Sequence, residues 1–389
     1  MRKDFDLIIL GGGCAGLSLA TRLAELGQAS PKTLIIEARA QYQHDRTWCF
    51  WDDGATRLQP LIQHRWQKMT VRAEGRAVTV DCGAKPYCLL PASIFYSSAT
   101  HAIAISDRLD LILDTQVHAQ PRKTGDKWIA ETSKGIFAAK LVVDTRALQK
   151  PIFGDAILWQ SFHGCEIECE TAVFDPTRTD LMDFADGRDA DIRFTYVLPL
   201  SRTRALVETT VFGPEPHTPL ALGIELNTAI ARYTGGARYN VLRSEDGVLP
   251  MGIASAAANA DPTCVRAGLS NGGARPSTGY AFQRIQRWAD RCAQNLHQKQ
   301  LPLGHAPDPP LLRAMDHLFL SVLRARSAKA PAMFLALFEK VATARMIRFL
   351  SDGGSLFDYA IVASALPVLP FLAEVFNAFS RNLKLRAAA

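Results

Sequence analysis

Two groups of residues in this chain have types and spacing suited to chemistry. The first is Gly11-Gly12-Gly13-Cys14-Ala15-Gly16, which fits G-x-G-x-x-G, followed by Glu37 twenty-one residues beyond Gly16. In such a turn Gly11 allows the tight bend, Gly13 lets backbone approach a pyrophosphate, and Gly16 lets the following helix pack close to the strand. An acid at the position of Glu37 accepts hydrogen bonds from ribose hydroxyls and repels a 2′-phosphate. The second group is Leu206-Val207-Glu208-Thr209-Thr210. Strand alternation puts Leu206, Glu208 and Thr210 on one face and Val207 and Thr209 on the other. Glu208 is either an edge carboxylate in water or a carboxyl facing an apolar cavity. In the second case its pKa rises, it holds its proton near neutral pH, and it can act as a general acid.

Elements that position these residues read directly from the pattern. Phe5 to Leu10 is an apolar run of the kind buried on both faces of a parallel sheet. A helix from about Ala15 to Leu26 carries Leu17, Ala20, Leu23 and Ala24 on one side, with Gly27 as its C-cap. Thr33 to Ile36 gives the next strand, ending at Glu37. This βαβ unit predicts a dinucleotide site, and its N-terminal position favours FAD over NAD by analogy. Ile136 to Ala139 and Leu141 to Arg146 read as two further strands. The second brings Asp144 to the carboxyl end of the sheet, where cofactors lie. Asn271 to Tyr280 is a glycine-rich segment leading into a helix with Phe282, Ile285, Trp288, Ala289, Cys292 and Leu296 on its core face. Its backbone N–H groups suit an anion, either the flavin pyrophosphate or the negative edge of a reduced ring; a plain flexible loop is the alternative.

With 389 residues, 48% hydrophobic and 21% charged, the chain is globular and long enough for two or three domains. A net charge of +6 without a basic block or a nucleic-acid motif argues against nucleic acid and is compatible with an anionic membrane surface. Eight cysteines in no regular framework indicate a reducing compartment. Cys165 and Cys169 lack a second ligand pair, so buried thiols are expected and no metal. Arg2 and Lys3 precede only a short apolar run, which does not read as a signal peptide, so the protein is expected in the cytoplasm or peripherally on the inner face of the cell membrane.

The expected fold class is α/β, α+β overall: a Rossmann-type FAD-binding domain, an inserted antiparallel-sheet substrate domain, and a C-terminal helical region. The FAD domain takes 1–66, 101–150 and 263–304. Residues 67–100 hold substrate-domain strands around a Glu74-Gly75-Arg76 turn and a connecting helix, 151–262 hold the main sheet, and 305–389 the helices. In that sheet Trp159–Phe162, Ala172–Phe174, Arg193–Leu200 and Ala205–Phe212 read as strands, and Asp246 to Met251 as a turn and strand. Trp48 and Trp51 read as core or as an aromatic wall beside a ligand. The tail from Tyr359 to Ala373 is uncharged but too short to span a bilayer and holds Pro367 and Pro370. It either dips into one leaflet, with Arg381, Lys384 and Arg386 at the head groups, or packs on the protein.

Taken together, the glycine motif with Glu37, Arg46-Thr47-Trp48-Cys49-Phe50-Trp51, Val143-Asp144-Thr145-Arg146, Phe194 to Leu200, Leu206 to Thr210, Glu245 to Pro250, and Arg266 through Pro276-Ser277-Thr278-Gly279-Tyr280 resemble the bacterial FAD-dependent lycopene cyclases. The resemblance implies closure of the ψ-ends of lycopene into β-ionone rings, giving β-carotene via γ-carotene. It further implies reduced FAD without net redox change, NAD(P)H as reductant, and a lipophilic carotenoid substrate taken at a membrane surface. It assigns Glu208 as catalytic acid. Gly11, Gly13, Cys14, Ala15, Gly16, Glu37, Asp144, Arg275, Pro276, Thr278, Gly279 and Tyr280 fall to the cofactor, and Trp48 and Trp51 to the substrate. Thr209 departs from the second acid often found there, and the loop Asn271 to Ala274 is lengthened. A flavin-dependent monooxygenase or reductase of an apolar prenyl substrate, or a carotenoid carrier, would share most of these features.

Overall fold

The computed structural model describes residues 3–147, 156–184, 191–252 and 261–377. Its architecture follows from two strand sets that need different covers. The nucleotide sheet runs in spatial order Leu109–Ile112, Thr33–Ile36, Lys3–Leu10, Gly135–Asp144, Lys127–Thr132, Arg122–Thr124, with Cys264–Arg266 also paired to Gly135–Asp144. Its central strands pair in parallel. Leu7, Ile8, Ile9 and Leu10 are all completely buried, which is why this run does not alternate. One face is covered by the helices Cys14–Glu25, Ala92–Ala104 and Phe282–Lys299. Ile8, Leu10, Leu34, Ile36, Ala130 and Phe137 close the other.

Two sequence readings need correction here. The segments Ile136 to Ala139 and Leu141 to Arg146 are parts of one strand, Gly135–Asp144. Exposed Lys140 interrupts the apolar pattern without shifting the register. The helix Ala92–Ala104, grouped by sequence with the substrate strands, packs on the nucleotide domain through Phe95, Tyr96, Ala99 and Ile103. Its apolar face fits the glycine-turn helix, and apolar area removed from water is worth about 25 cal/mol per Å².

The second sheet has the order Tyr239–Met251, Leu158–Cys169, Arg204–Gly213, Ile192–Pro199, Arg178–Asp183, Lys68–Ala73, Arg76–Asp81. It is antiparallel except where Arg178–Asp183 runs parallel to Lys68–Ala73. Ala172 to Phe174 is not a strand; Val173 and Phe174 instead donate their N–H groups to the Arg202 carbonyl. Asp246-Gly247 is not a turn but lies inside Tyr239–Met251, where a Cβ on Gly247 would come within 2.5 Å of the Phe162 ring.

The sequence also concealed a helix, Pro219–Thr234, within the strand-rich region. Thr218 caps it and Gly235 ends it in the left-handed conformation. Leu226, Ala229 and Ile230 pack on Ile167, Val197, Ala205 and Val207, covering the sheet face opposite to Glu208. Over the other face lie the C-terminal helices Pro310–Ala325, Ala330–Lys340, Thr343–Leu350 and Leu356–Ser364, joined in one core with Leu198, Leu206 and Phe212. A three-stranded sheet, Thr47–Trp51, Tyr87–Pro91 and His64–Trp66, links the layers. Fully buried Trp66 donates its indole N–H to the Pro199 carbonyl at 2.9 Å, fixing this sheet to the second one.

Candidate active site

The glycine turn opens onto a cleft of about 450 Å³ lined by Gly11, Gly13, Glu37, Asp144, Arg146 and Arg266. Gly11 takes φ +94°, and a Cβ on Gly16 would lie 1.9 Å from the Gly11 carbonyl oxygen, so both positions require glycine. Gly13 meets nothing closer than 4.0 Å and leaves the cleft floor open. The helix beginning at Cys14 has neither a side-chain cap nor an acid in its first turn, which suits it to a phosphate. Burial pushes the Cys14 thiol up to about 12, so this residue contributes backbone rather than nucleophilic chemistry.

Glu37 accepts the Gly12 N–H at 2.7 Å and the Arg39 backbone N–H at 2.9 Å, with the Arg39 Nε at 3.0 Å. Burial raises its pKa, but these donors outweigh burial and hold the carboxyl below its usual range. Asp144 is buried and paired with Arg146 at 2.9 Å. This donor set, an ionised acid beyond an open glycine floor and an uncapped helix, fits the ribose and pyrophosphate of a dinucleotide.

The segment after Asn271 behaves differently from its sequence reading. The Arg275 guanidinium does not reach the cleft. It is fully buried against Asp316, at 3.2 and 3.1 Å, donates to the Phe349 carbonyl, and lies over the Phe349 ring. A buried cation must be paired, and this one anchors the loop to the C-terminal helices. The Pro276 carbonyl accepts the Gly252 N–H at 3.0 Å, and Gly279 rests over Gln160. Thr278 and Tyr280 line a second cavity rather than the cleft.

That cavity, about 370 Å³, is walled by Tyr196, Phe212, Tyr280, Phe334, Phe338 and Phe371, with further aliphatic side chains. Neither tryptophan lines it. Trp48 stacks on Phe282 at 5.1 Å, and Trp51 is buried against Tyr87 at 5.1 Å and Tyr280 at 5.5 Å. Both serve packing; Trp51 reaches the cavity only through Tyr280.

Glu208 occupies one rank of residues that crosses four strands. Gly164 pairs with Glu245 on one side and Glu208 on the other, and Glu208 pairs with Tyr196. Directly paired residues point to the same face, about 4.5–5.5 Å apart. Glu208 therefore stands beside Tyr196, which forms the cavity wall, although Glu208 itself is not a lining residue. The residue keeps partial exposure, and the Thr210 hydroxyl donates to its Oε1 at 3.0 Å. Burial first, and the Glu245 carboxylate second, push the Glu208 carboxyl up to about 8. Its half-buried place inside a central strand, beside a cavity-wall residue, differs from that of an exposed edge carboxylate.

Glu245, Gly164 and Tyr196 did not stand out in the sequence as site residues. Glu245 accepts from Arg243 at 2.6 Å and from Thr47 at 2.8 Å, and Arg243 also donates to buried Glu166 at 2.6 Å. Thr209, the departure from the family pattern, points to the opposite face with its register partners His163 and Thr195, so an acid there would not join Glu208. Among the described residues no cluster of His, Cys, Asp and Glu has the form of a metal site.

An uncapped helix beyond a glycine turn, with Glu37 and Asp144 at the carboxyl end of a parallel sheet, defines a dinucleotide-binding fold, and that fold is shared with solved structures. A geranylgeranyl bacteriochlorophyll reductase-like protein from Thermoplasma acidophilum aligns with TM-score 0.62 at 14% identity, over 94% of this chain and 96% of that one. A flavoprotein/dehydrogenase from Cytophaga hutchinsonii aligns with TM-score 0.59 at 12% identity, over 97% and 100%. Within that class the chain belongs to the lycopene cyclase family: the pattern described as lycopene cyclase protein matches residues 6–375. It is 27% identical to a lycopene beta-cyclase of Pantoea ananas, over 75% of this chain and 74% of that one. To a lycopene beta-cyclase of Pseudescherichia vulneris it is 26% identical, over 96% of each.

Proposed function

We propose that this protein cyclises the ψ-ends of lycopene to β-ionone rings, with Glu208 as the proton donor, in carotenoid biosynthesis. The observation that carries the reading is the pairing of a carboxyl that holds its proton near neutral pH with Tyr196 on the wall of an aromatic, apolar cavity. Ring closure transfers a proton to C2 of the terminal alkene. The C5=C6 bond attacks the resulting C1 cation, and a proton then leaves C6. Proton gain and loss balance, so no electrons are consumed. Glu208 supplies the first proton, and its carboxylate is the base to which a proton returns. Tyr196 and Tyr280 line the cavity, and an aromatic face turned to a cation is worth roughly 0.5–2 kcal/mol.

FAD is the dinucleotide proposed for the cleft at Gly13 and Glu37, held in its reduced form by NAD(P)H. When bound, the reduced flavin supplies fixed negative charge and no hydride.

A carotenoid has no polar handle, so the substrate is taken from a bilayer at the cavity mouth. Val368, Leu372 and Val375 line the cavity and are 64%, 48% and 48% exposed. Leu356, Phe357, Leu369 and Phe376 add an exposed apolar rim. Among the described residues no single helix is long and apolar enough to cross a membrane, but Leu356–Ser364 and Val368–Asn377 form a bent apolar pair at 104°. These features support peripheral attachment to a bilayer, for which the inner face of the cell membrane is the proposed site. The basic residues Arg381, Lys384 and Arg386 lie outside the described residues.

The test is product analysis in cells that accumulate lycopene. The wild-type chain forms cyclic carotenoid, whereas Glu208→Gln retains flavin and leaves lycopene unchanged. Cyclic product from Glu208→Gln would refute the assignment of the acid.

A further inference from the structure

The sheet rank that carries half-buried Glu208 carries a second carboxyl, buried Glu245, and the residue between them is glycine. Gly164 lies directly between Glu245 and Glu208, and a Cβ added there would come within 3.0 Å of the Glu208 Cβ and 3.2 Å of its Cγ. No side chain therefore separates the two acids. Their partners are unequal. Glu245 is held by the Arg243 guanidinium at 2.6 Å and the Thr47 hydroxyl at 2.8 Å, while Glu208 has the Thr210 hydroxyl at 3.0 Å. Two neighbouring carboxyls screened from water cannot both ionise cheaply; burial raises the Glu245 carboxyl as well, but the Arg243 guanidinium and the Thr47 hydroxyl pull it back, so Glu245 is the one of the two that gives up its proton first.

We propose that Glu245 is a positioning residue for ring closure: held ionised by Arg243 and Thr47 and facing Glu208 across Gly164, its carboxylate keeps the proton on Glu208. This rests on the cyclase reading above. The other groups that face Glu208 are consistent with it. From the Tyr239–Met251 strand comes Arg243, whose charge is divided between Glu245 and Glu166. Glu166 on the Leu158–Cys169 strand is further paired with Arg204 at 2.6 Å. Arg46 precedes the Thr47–Trp51 strand and donates to the Asp246 carbonyl, and with Arg243 it opposes the effect of Glu245 on Glu208. Cys49 on that strand and Tyr196 on Ile192–Pro199 are half-buried and neutral, the acidity of Cys49 suppressed by burial and by both carboxylates, that of Tyr196 by burial, Tyr280 and Glu208.

The arrangement also suits a proton that must come back. A Glu208 carboxylate formed beside ionised Glu245 is a strong base for the proton leaving C6. Glu245 thus favours the resting acid and the return step, while Thr210 and the arginines keep proton transfer to the alkene within reach.

The test compares wild type, Glu245→Gln and Glu245→Asp as flavin-loaded protein in lycopene-containing vesicles. In wild type the rate falls on the alkaline side with a midpoint near 8. In Glu245→Gln that midpoint drops by about one unit, raising the ratio of rates at acidic and alkaline pH about fivefold, and Glu245→Asp restores it. The second readout needs no turnover. The protonated carboxyl stretch that Glu208→Gln abolishes is titrated by infrared difference spectroscopy, and its midpoint moves down in Glu245→Gln. Coincident titrations in wild type and Glu245→Gln overturn the proposal, as does loss of rate at every pH with the carboxyl midpoint unmoved. If wild type forms no rings, the cyclase reading fails, and the infrared titration alone judges the pair.

Discussion

Glu208 and Tyr196 are directly paired on adjacent antiparallel strands and share one face of the sheet, where Tyr196 forms part of the wall of the apolar cavity. The pairing fixes how near an acid stands to a substrate that cannot hydrogen-bond. It also has a thermodynamic consequence. The folded-state pKa of Glu208, about 8, lies above the ordinary 4.5 of a glutamic acid, so the native state binds the proton more tightly than the unfolded chain. The stabilising contribution is complete below the unfolded value and is lost as pH rises through the folded one. The melting temperature of wild type therefore declines between about pH 5 and pH 8 by more than that of Glu208→Gln. Thermal melts across this range check it, and parallel curves would show that Glu208 is not protonated in the fold.

Gly164 leaves little room beside the Glu208 side chain. A methyl group there contacts the Glu208 side chain at 3.0 and 3.2 Å, tighter than most real contacts and within a strand bonded on both edges. Gly164→Ala is expected to lower the cyclisation rate by at least about tenfold by turning the carboxyl aside, at a stability cost of about 1–3 kcal/mol for overpacking. Flavin content stays at the wild-type level because the glycine turn lies in the other sheet. Measuring rate and flavin occupancy on the same preparation separates a misplaced acid from a misfolded chain.

Much of this was legible in the sequence, and the missing part has a physical cause. The glycine turn and Glu37 are local, within one βαβ unit, and their spacing alone brings them together. The face of Glu208 follows from strand alternation. The rank joining it to Glu245 depends on register between strands that are distant in sequence, and no spacing rule sets that register. Glu245 was visible only as part of a motif. The helix Pro219–Thr234 was signalled by Thr218, Pro219 and Gly235, but its neighbours' strand pattern masked it. Arg275 fell to the cofactor through the family resemblance of its segment; its partner Asp316 is 41 positions away, where no local pattern links the two.

That buried pair makes a separate prediction. Arg275 and Asp316 are almost wholly removed from solvent, so deleting one leaves the other charge without compensation. Asp316→Ala and Arg275→Ala should each destabilise the protein by about 3–5 kcal/mol. The combined Arg275→Met and Asp316→Leu replacement should cost less than either single change, because no orphan charge remains. Denaturant unfolding of the three variants checks this, and additive losses would show that the two side chains act independently.

The exposed rim at the C-terminal helices carries the last prediction. Leu369 is 79% and Phe376 69% exposed, and both are close in sequence to Leu372 and Val375 on the cavity wall. Burying two such side chains in lipid is worth roughly 3 kcal/mol, about a hundredfold in partitioning. Leu369→Asp with Phe376→Asp is therefore expected to release the protein from vesicles by about that factor. Ring formation from bilayer-embedded lycopene falls with it, whereas flavin content and thermal stability remain those of wild type, since neither side chain belongs to the core. Vesicle co-sedimentation measures the first effect and product analysis the second. Unaltered sedimentation would place the membrane contact elsewhere on the surface, and normal sedimentation with lost turnover would make the rim a part of the substrate cavity instead of a docking face.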